Sequence, residues 1–485
     1  MASKIHLQRL KKKTVKGTAQ LLWREVGMKG IAILGQILLV RLLSPSAFGI
    51  FAILSFILGI AEIFTDIGLN LSLIQKNENA SKRQISTILY IKFAMAAIAV
   101  VLLFIIAPLL HFIYPSFGPS ELTMLNILSI TLLLKPMQSL ITSLLERDLK
   151  YKAIAIIDVS GIISYYIIAI VMANIGFGIW SFVWAVVVKT IIENTVTFIY
   201  KPLVPVLEFN LKEVRNYINV GKYFQLGLIL SVIKNSTIPV MAGVNLPTAQ
   251  VGLLDWSYNI SSFPRVFIDN VGRVSFASFS RMQNDKKIIA TSLEHAFGIL
   301  SIAAIFAIPI TVIFGYDTIH YFLNDRWLPA LPALIWYVAS IFFLNGNGLM
   351  GHALLAVGKL RLMLVVGSLI TLFEILISYL LMIRLGFYGI AVGFFVSNAI
   401  LFFAFIIFCR RSEISINLTK ILLSNALILL LSSCCFYLIN FYESKTIVDF
   451  FVKVVIATAS YFTLVQVFTP KTLKLSIKLI ISSFA

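Results

Sequence analysis

Apolar runs close to the ~20 residues that cross a bilayer follow one another along the whole chain, with only short polar breaks between them. The runs are continuous rather than alternating between apolar and polar residues, which argues against β-barrel strands. Lipid offers no partner to a backbone N–H or C=O, so runs of this kind close their hydrogen bonds internally as helices. With 59% hydrophobic and 13% charged residues, a chain of 485 residues has too little polar side chain to cover a water-facing surface. The expected fold class is an all-α polytopic membrane protein.

The runs fall at Ala19 to Leu43, Phe48 to Leu73, Ile85 to Ala107, Leu122 to Leu145, Ala153 to Asn174, Gly178 to Tyr200 and Val220 to Val244. The second half continues with Gln250 to Val274, Ala290 to Phe314, Leu328 to Ala356, Leu362 to Met382, Gly386 to Cys409, Ile421 to Ile439 and Val448 to Phe468, about fourteen transmembrane helices in all. Met1 to Lys16 is basic, but Arg24, Glu25 and Lys29 interrupt the first run and no small-residue cleavage site follows, so no removable signal peptide is expected. Cys409, Cys434 and Cys435 show no metal-binding or redox spacing. No cofactor and no metal site are expected.

Basic residues divide unequally between the two sets of breaks. The odd breaks hold about four, whereas the even breaks and the two tails hold about 26. By the positive-inside rule, both termini are cytoplasmic and the protein is multi-pass in the inner (plasma) membrane. Topology thus accounts for the net charge of +19, and no nucleic-acid partner is expected.

The two halves share landmarks at an offset of about 200 residues. Pro45-Ser46-Ala47-Phe48-Gly49 matches Pro247-Thr248-Ala249-Gln250-Val251-Gly252, and Asp66-Ile67-Gly68 matches Asn270-Val271-Gly272. Ile175-Gly176-Phe177-Gly178-Ile179 matches Leu385-Gly386-Phe387-Tyr388-Gly389-Ile390, and Leu144-Leu145 matches Leu354-Leu355. This predicts two six-helix lobes related by internal duplication around a central cavity, a usual build of secondary transporters, plus two peripheral helices. The expected divisions are 1–200 for the N-lobe, 201–219 for a cytoplasmic linker, 220–410 for the C-lobe, and 411–485 for the last two helices and a basic tail.

Charges inside spanning helices are costly and normally face a cavity or a partner. Lys189 with Glu193, and Arg265 with Asp269 and Asp269 with Arg273, stand four residues apart and can pair on one helix face. Lys189 and Glu193 read as a self-compensating pair rather than a site. Arg24 and Lys92 have stems long enough to snorkel to the headgroups, and Arg24 is kept as a candidate because Lys29 follows it. Lys29 and Lys234 lie deep in duplicated spans and suit an anionic head group, phosphate or diphosphate, which Arg265, Arg273 and Lys135 would complete. Lys135 precedes Pro136 and Arg265 follows Pro264, so both sit at expected kinks with a possible role in gating. Asp66 and Asp269 suit either a coupling proton or cation or a salt bridge.

The chain carries no phosphate-binding loop, no HExxH, no nucleophile elbow and no acidic metal pair, and no break is long enough for an ATPase domain. A catalytic role is not expected.

Several stretches resemble the Wzx-type oligosaccharide flippases of the polysaccharide transporter family, within the multidrug/oligosaccharidyl-lipid/polysaccharide exporter superfamily. They are Arg41-Leu42-Leu43-Ser44-Pro45-Ser46-Ala47-Phe48-Gly49-Ile50-Phe51, Asp66-Ile67-Gly68-Leu69-Asn70, Leu145-Glu146-Arg147-Asp148-Leu149-Lys150-Tyr151 and Gly176-Phe177-Gly178-Ile179-Trp180. Phe263-Pro264, Phe276-Ala277-Ser278-Phe279-Ser280-Arg281, Arg326-Trp327-Leu328-Pro329-Ala330 and Ala356-Val357-Gly358-Lys359 extend the likeness over roughly residues 15–410. The resemblance implies two six-helix lobes around a V-shaped cavity. It also implies movement of a polyprenyl-diphosphate-linked oligosaccharide repeat unit from the cytoplasmic to the outer leaflet, for surface polysaccharide (O-antigen, capsule or exopolysaccharide). Membrane lipids, a polysaccharide polymerase and glycosyltransferases are the implied partners. Two rival readings are a drug or small-cation exporter of the same superfamily, which should line its cavity with acids, and a membrane polysaccharide polymerase, which should carry a long outer loop.

Overall fold

A computed structural model describes residues 24–25, 27–66, 68–75, 80–210, 236–262, 279–283, 285–417, 419–441 and 446–470, with single positions at 215, 217 and 232. Among them no strand occurs. Among the described residues, ten helices are long and apolar enough to cross a membrane, or 11 if a bent pair counts as one span. These fall on the second to sixth and ninth to fourteenth expected runs. The first run is helical over 27–42, while most of the seventh and the second half of the eighth lie outside the described residues.

The chain divides into two compact units, Met1–Gly252 and Leu253–Ala485. Unit 1 contains α1 (27–42), α2 (Pro45–Asp66), α3 (Leu69–Gln75), α4 (Lys82–Ile106), α5 (Pro119–Ile130), α6 (Lys135–Arg147), α7 (Tyr151–Asn174) and α8 (Trp180–Tyr200), and it takes in the start of α9 (Thr248–Ser261). Local chemistry sets several boundaries. Ser81 and Gln84 form a reciprocal capping box at the start of α4, each side chain accepting the other's backbone N–H at 3.1 Å.

Two expected spans are interrupted. The run expected as one helix from Phe48 to Leu73 stops at Asp66, because Gly68 takes a φ of +69° that L side chains rarely adopt. The Asp66 carboxylate then accepts the N–H of Asn70 at 3.3 Å, satisfying a free donor in the first turn of α3. The run expected from Leu122 to Leu145 breaks into α5 and α6, which are bent by 43° across a 3₁₀ turn at Thr131–Leu133. Pro136 has no N–H to continue the ladder and disfavours helical geometry in the residue before it, so the kink expected there is found.

Unit 2 holds α10 (Lys286–Phe322), α11 (Leu331–Ala356), α12 (Leu360–Leu385), α13 (Gly389–Arg411), α14 (Thr419–Asn440) and α15 (Ile447–Phe468). The ninth run, expected from Ala290 to Phe314, is longer at both ends. The Asp285 side chain accepts from the N–H groups of Lys287 and Ile288, both at 3.1 Å, and so starts the helix four residues early. Rings of Phe297, Phe342 and Phe402 interlock α10, α11 and α13, and Phe314, Phe436 and Phe450 tie α10 to α14 and α15. On α12, Leu369, Leu372, Leu376, Leu380 and Ile383 form an exposed apolar stripe at helical spacing, a surface suited to lipid.

Each unit also carries a strap. In unit 1 the segment after α8 lies along the start of α4. The Val206 N–H donates to Ser86 Oγ at 2.9 Å, Tyr90 Oη donates to the Val206 carbonyl at 3.0 Å, and the Asn210 N–H donates to Thr87 Oγ1 at 3.2 Å. In unit 2 the segment after α13 lies along the start of α10. There the Asn417 N–H donates to Glu294 Oε1 at 2.6 Å and Lys286 pairs with Glu413, whose carboxyl it holds below the usual carboxylate range.

Candidate functional site

The ion pairs that hold the candidate charges of unit 1 are of two kinds. Two are close. Arg24 Nη1 meets Asp158 Oδ2 at 2.9 Å, joining the chain just before α1 to α7. Lys92 Nζ meets Asp66 Oδ1 at 2.9 Å, Asn70 Oδ1 at 2.7 Å and Ser139 Oγ at 2.8 Å. All three N–H groups of Lys92 are therefore used, and its side chain is 1% exposed. The snorkelling expected of Lys92 is overturned: its stem turns inward, where three acceptors on α2, α3 and α6 replace the water the ammonium would otherwise seek. Arg24 does not snorkel freely either, since Asp158 takes its guanidinium.

The other two pairs are loose and face a cavity of about 330 Å³ within unit 1. Lys135 Nζ is 3.4 Å from Glu62 Oε1, and Lys189 Nζ is 3.8 Å from Glu193 Oε1. Glu62, Lys135 and Lys189 line the cavity together with Tyr165, Ser55 and Thr190. The broken span makes this possible, because α5 ends and α6 begins where Lys135 leaves the backbone. The cavity is at the small end of the ~300–1,000 Å³ of ligand pockets, room for a head group rather than for a whole oligosaccharide.

Glu193 is fixed from two sides. Gln138 Nε2 donates to its Oε2 at 2.9 Å, and the carboxylate packs on the bare face of Gly161. A Cβ on Gly161 would lie 2.2 Å from Glu193 Oε1. Gly161→Ala is expected to push this carboxylate off Gln138, at the ~1–3 kcal/mol typical of overpacking. A melt of the purified protein checks this, and an unchanged midpoint would mean that Glu193 moves aside freely.

The expected site residues are thus divided. Lys135 reaches the cavity. Arg24 and Asp66 are taken up in close pairs, with Asp66 adopting the salt-bridge option left open for it. Lys29 is half-buried in α1 and makes no ion pair among the described residues. Pro136 lies at the kink. Lys234, Pro264, Arg265, Asp269 and Arg273 lie outside the described residues. The structure adds Glu62, Tyr165 and Lys189. Lys189 and Glu193 do pair as their spacing indicates, but reading them as a closed pair hid the fact that Lys189 lines the cavity.

Residues 38–332 match the family model described as polysaccharide biosynthesis protein. A membrane protein in the cps region of Klebsiella pneumoniae is 24% identical over 404 residues, 81% of each chain. The lipopolysaccharide biosynthesis protein WzxC of Escherichia coli K12 is 19% identical over 332 residues, covering 67% of this chain and 66% of its own. Among solved structures, the lipid II flippase MurJ in an inward closed conformation superposes with a TM-score of 0.77 at 14% identity, over 93% of this chain and 98% of its own.

Proposed function

Since the chain belongs to the polysaccharide biosynthesis protein family, whose Wzx-type members are multi-pass transporters rather than enzymes, we propose that it is a flippase for polyprenyl-diphosphate-linked oligosaccharide repeat units. It carries them by alternating access from the cytoplasmic to the outer leaflet of the inner membrane, for surface polysaccharide assembly. Both termini are cytoplasmic, as the basic residues in the even breaks indicate. Partner glycosyltransferases supply the substrate and a polymerase consumes it.

The observation that carries this reading is the cavity of unit 1, where two lysines stand in loose ion pairs inside the membrane-spanning helices. Intramembrane cations at a cavity suit an anionic guest and argue against a small-cation exporter. Lys135 binds the diphosphate, with Lys29, Arg24, Lys234, Arg265 and Arg273 as further contacts. Asp269, Pro136 and Pro264 belong to gating or coupling, and Asp66 contributes through its bridge to Lys92. A head group of about two negative charges moving outward gains about 2.3 kcal/mol per charge for each 100 mV of inside-negative potential, enough to drive transport without ATP.

The two straps support the duplicated lobes. Asn210 with Thr87 and Asn417 with Glu294 are each separated by 123 residues and are related by one shift along the chain. Unpaired backbone N–H groups at the end of a sixth helix are thus met in the same way in both halves.

Deletion of the gene in its host is expected to leave lipid-linked repeat units in the inner leaflet, reversed by complementation. Units that reach the outer leaflet but stay unpolymerised would support the polymerase reading instead. Lys234→Ala and Lys29→Ala are expected to impair export while the protein still inserts. Unchanged export at equal protein level would remove the lysine concerned from the site.

A further inference from the structure

The carboxylate that lines the cavity is held by a lysine alone. Asp66 and Asp158 stand 2.9 Å from their cations, and Gln138 and Gly161 fix Glu193. Among the described residues, the Glu62 carboxylate makes only its 3.4 Å contact with Lys135, and its side chain is 49% exposed where it lines the cavity. We propose that Glu62 is a built-in counter-anion, which neutralises Lys135 while the cavity is empty and yields that lysine to the diphosphate of an arriving substrate.

This rests on the reading of the cavity as a diphosphate subsite. Two bare ammonium groups gathered at one small cavity would repel each other and give up part of their hydration. Glu62 and Glu193 cancel the charge of Lys135 and Lys189 and offset both effects. A single carboxylate at 3.4 Å is nonetheless a weak hold, beyond the ~2.7–2.9 Å of charge-assisted hydrogen bonds. A diphosphate brings more charge and more acceptor oxygens, and it can engage Lys135 and Lys189 together. Glu62 is free to leave because no other side chain anchors it, whereas Glu193 stays and sets the position of Lys189. A lipid-linked sugar without an anionic linkage cannot displace Glu62, so the exchange also selects against neutral head groups.

The test uses the full-length protein in nanodiscs, titrated calorimetrically with inorganic diphosphate. Glu62→Gln is expected to lower the Kd by about tenfold and Lys135→Gln to raise it by about tenfold. If Lys135→Gln weakens binding but Glu62→Gln does not tighten it, the counter-anion fails and the subsite stands. If Lys135→Gln leaves binding unchanged, or if no form binds diphosphate, the subsite falls and the counter-anion with it. A second measurement needs no variant. Diphosphate is expected to accelerate carbodiimide labelling of Glu62 in the unaltered protein, read by peptide mass spectrometry against exposed Glu413, and unchanged or slower labelling overturns the proposal.

Discussion

Asp66→Ala is expected to destabilise the protein by about 3–5 kcal/mol, the range for removing one partner of a buried ion pair. Lys92 would keep Asn70 and Ser139 as acceptors, at 2.7 and 2.8 Å, but no carboxylate in direct contact. The loss should be felt in α2, α3, α4 and α6 together, since the lysine on α4 ties the other three, and Asp66 also satisfies an N–H of α3. Adding Lys92→Met to Asp66→Ala is expected to recover much of the stability, because an apolar side chain of similar length needs no counter-charge. Denaturation of the parent, both single variants and the double variant in detergent gives the coupling between the two residues. A full-strength single variant would show that the bridge contributes nothing, and a double variant as unstable as the worse single would show that packing rather than charge was lost.

The second large effect is expected at Gly49 and Gly252. The starts of α2 and α9 touch reciprocally, such that a Cβ on Gly49 would lie 1.9 Å from the Thr248 carbonyl oxygen and a Cβ on Gly252 1.9 Å from that of Pro45. Both obstacles are backbone atoms, so no change of rotamer relieves them. Gly49→Ala and Gly252→Ala are each expected to cost at or above the top of the ~1–3 kcal/mol seen for overpacking, and to reduce export. Together they should cost less than the sum, because the first substitution already parts the helices that the second would clash with. Strict additivity would indicate two independent sites, and wild-type melting of either single variant would mean that the helices separate without loss.

Much of this architecture was legible in the sequence because its causes are local. A continuous apolar run dictates a spanning helix whatever its neighbours, and Pro136 forces a break through its own missing N–H. Gly68, in contrast, ends α2 inside a run that reads as one helix, because hydropathy does not record its positive φ. The motifs at Pro45 and Pro247 stood out as a repeat, but nothing in either indicated that the two copies pack against each other.

The charges divide along the same line. Lys189 and Glu193 could be matched by counting, because both sit on α8 four residues apart. Arg24 with Asp158, Lys92 with Asp66 and Lys135 with Glu62 could not, since each pair joins separate segments whose rotation and depth are set by packing. By itself the sequence determined the membrane-spanning helices, the kink at Pro136 and the presence of buried cations, since hydropathy and backbone chemistry act over a few residues. Only the tertiary structure decided which acid met which base, and hence which lysines are locked in the helix bundle and which face the cavity, because that depends on how helices distant in sequence turn their faces towards one another.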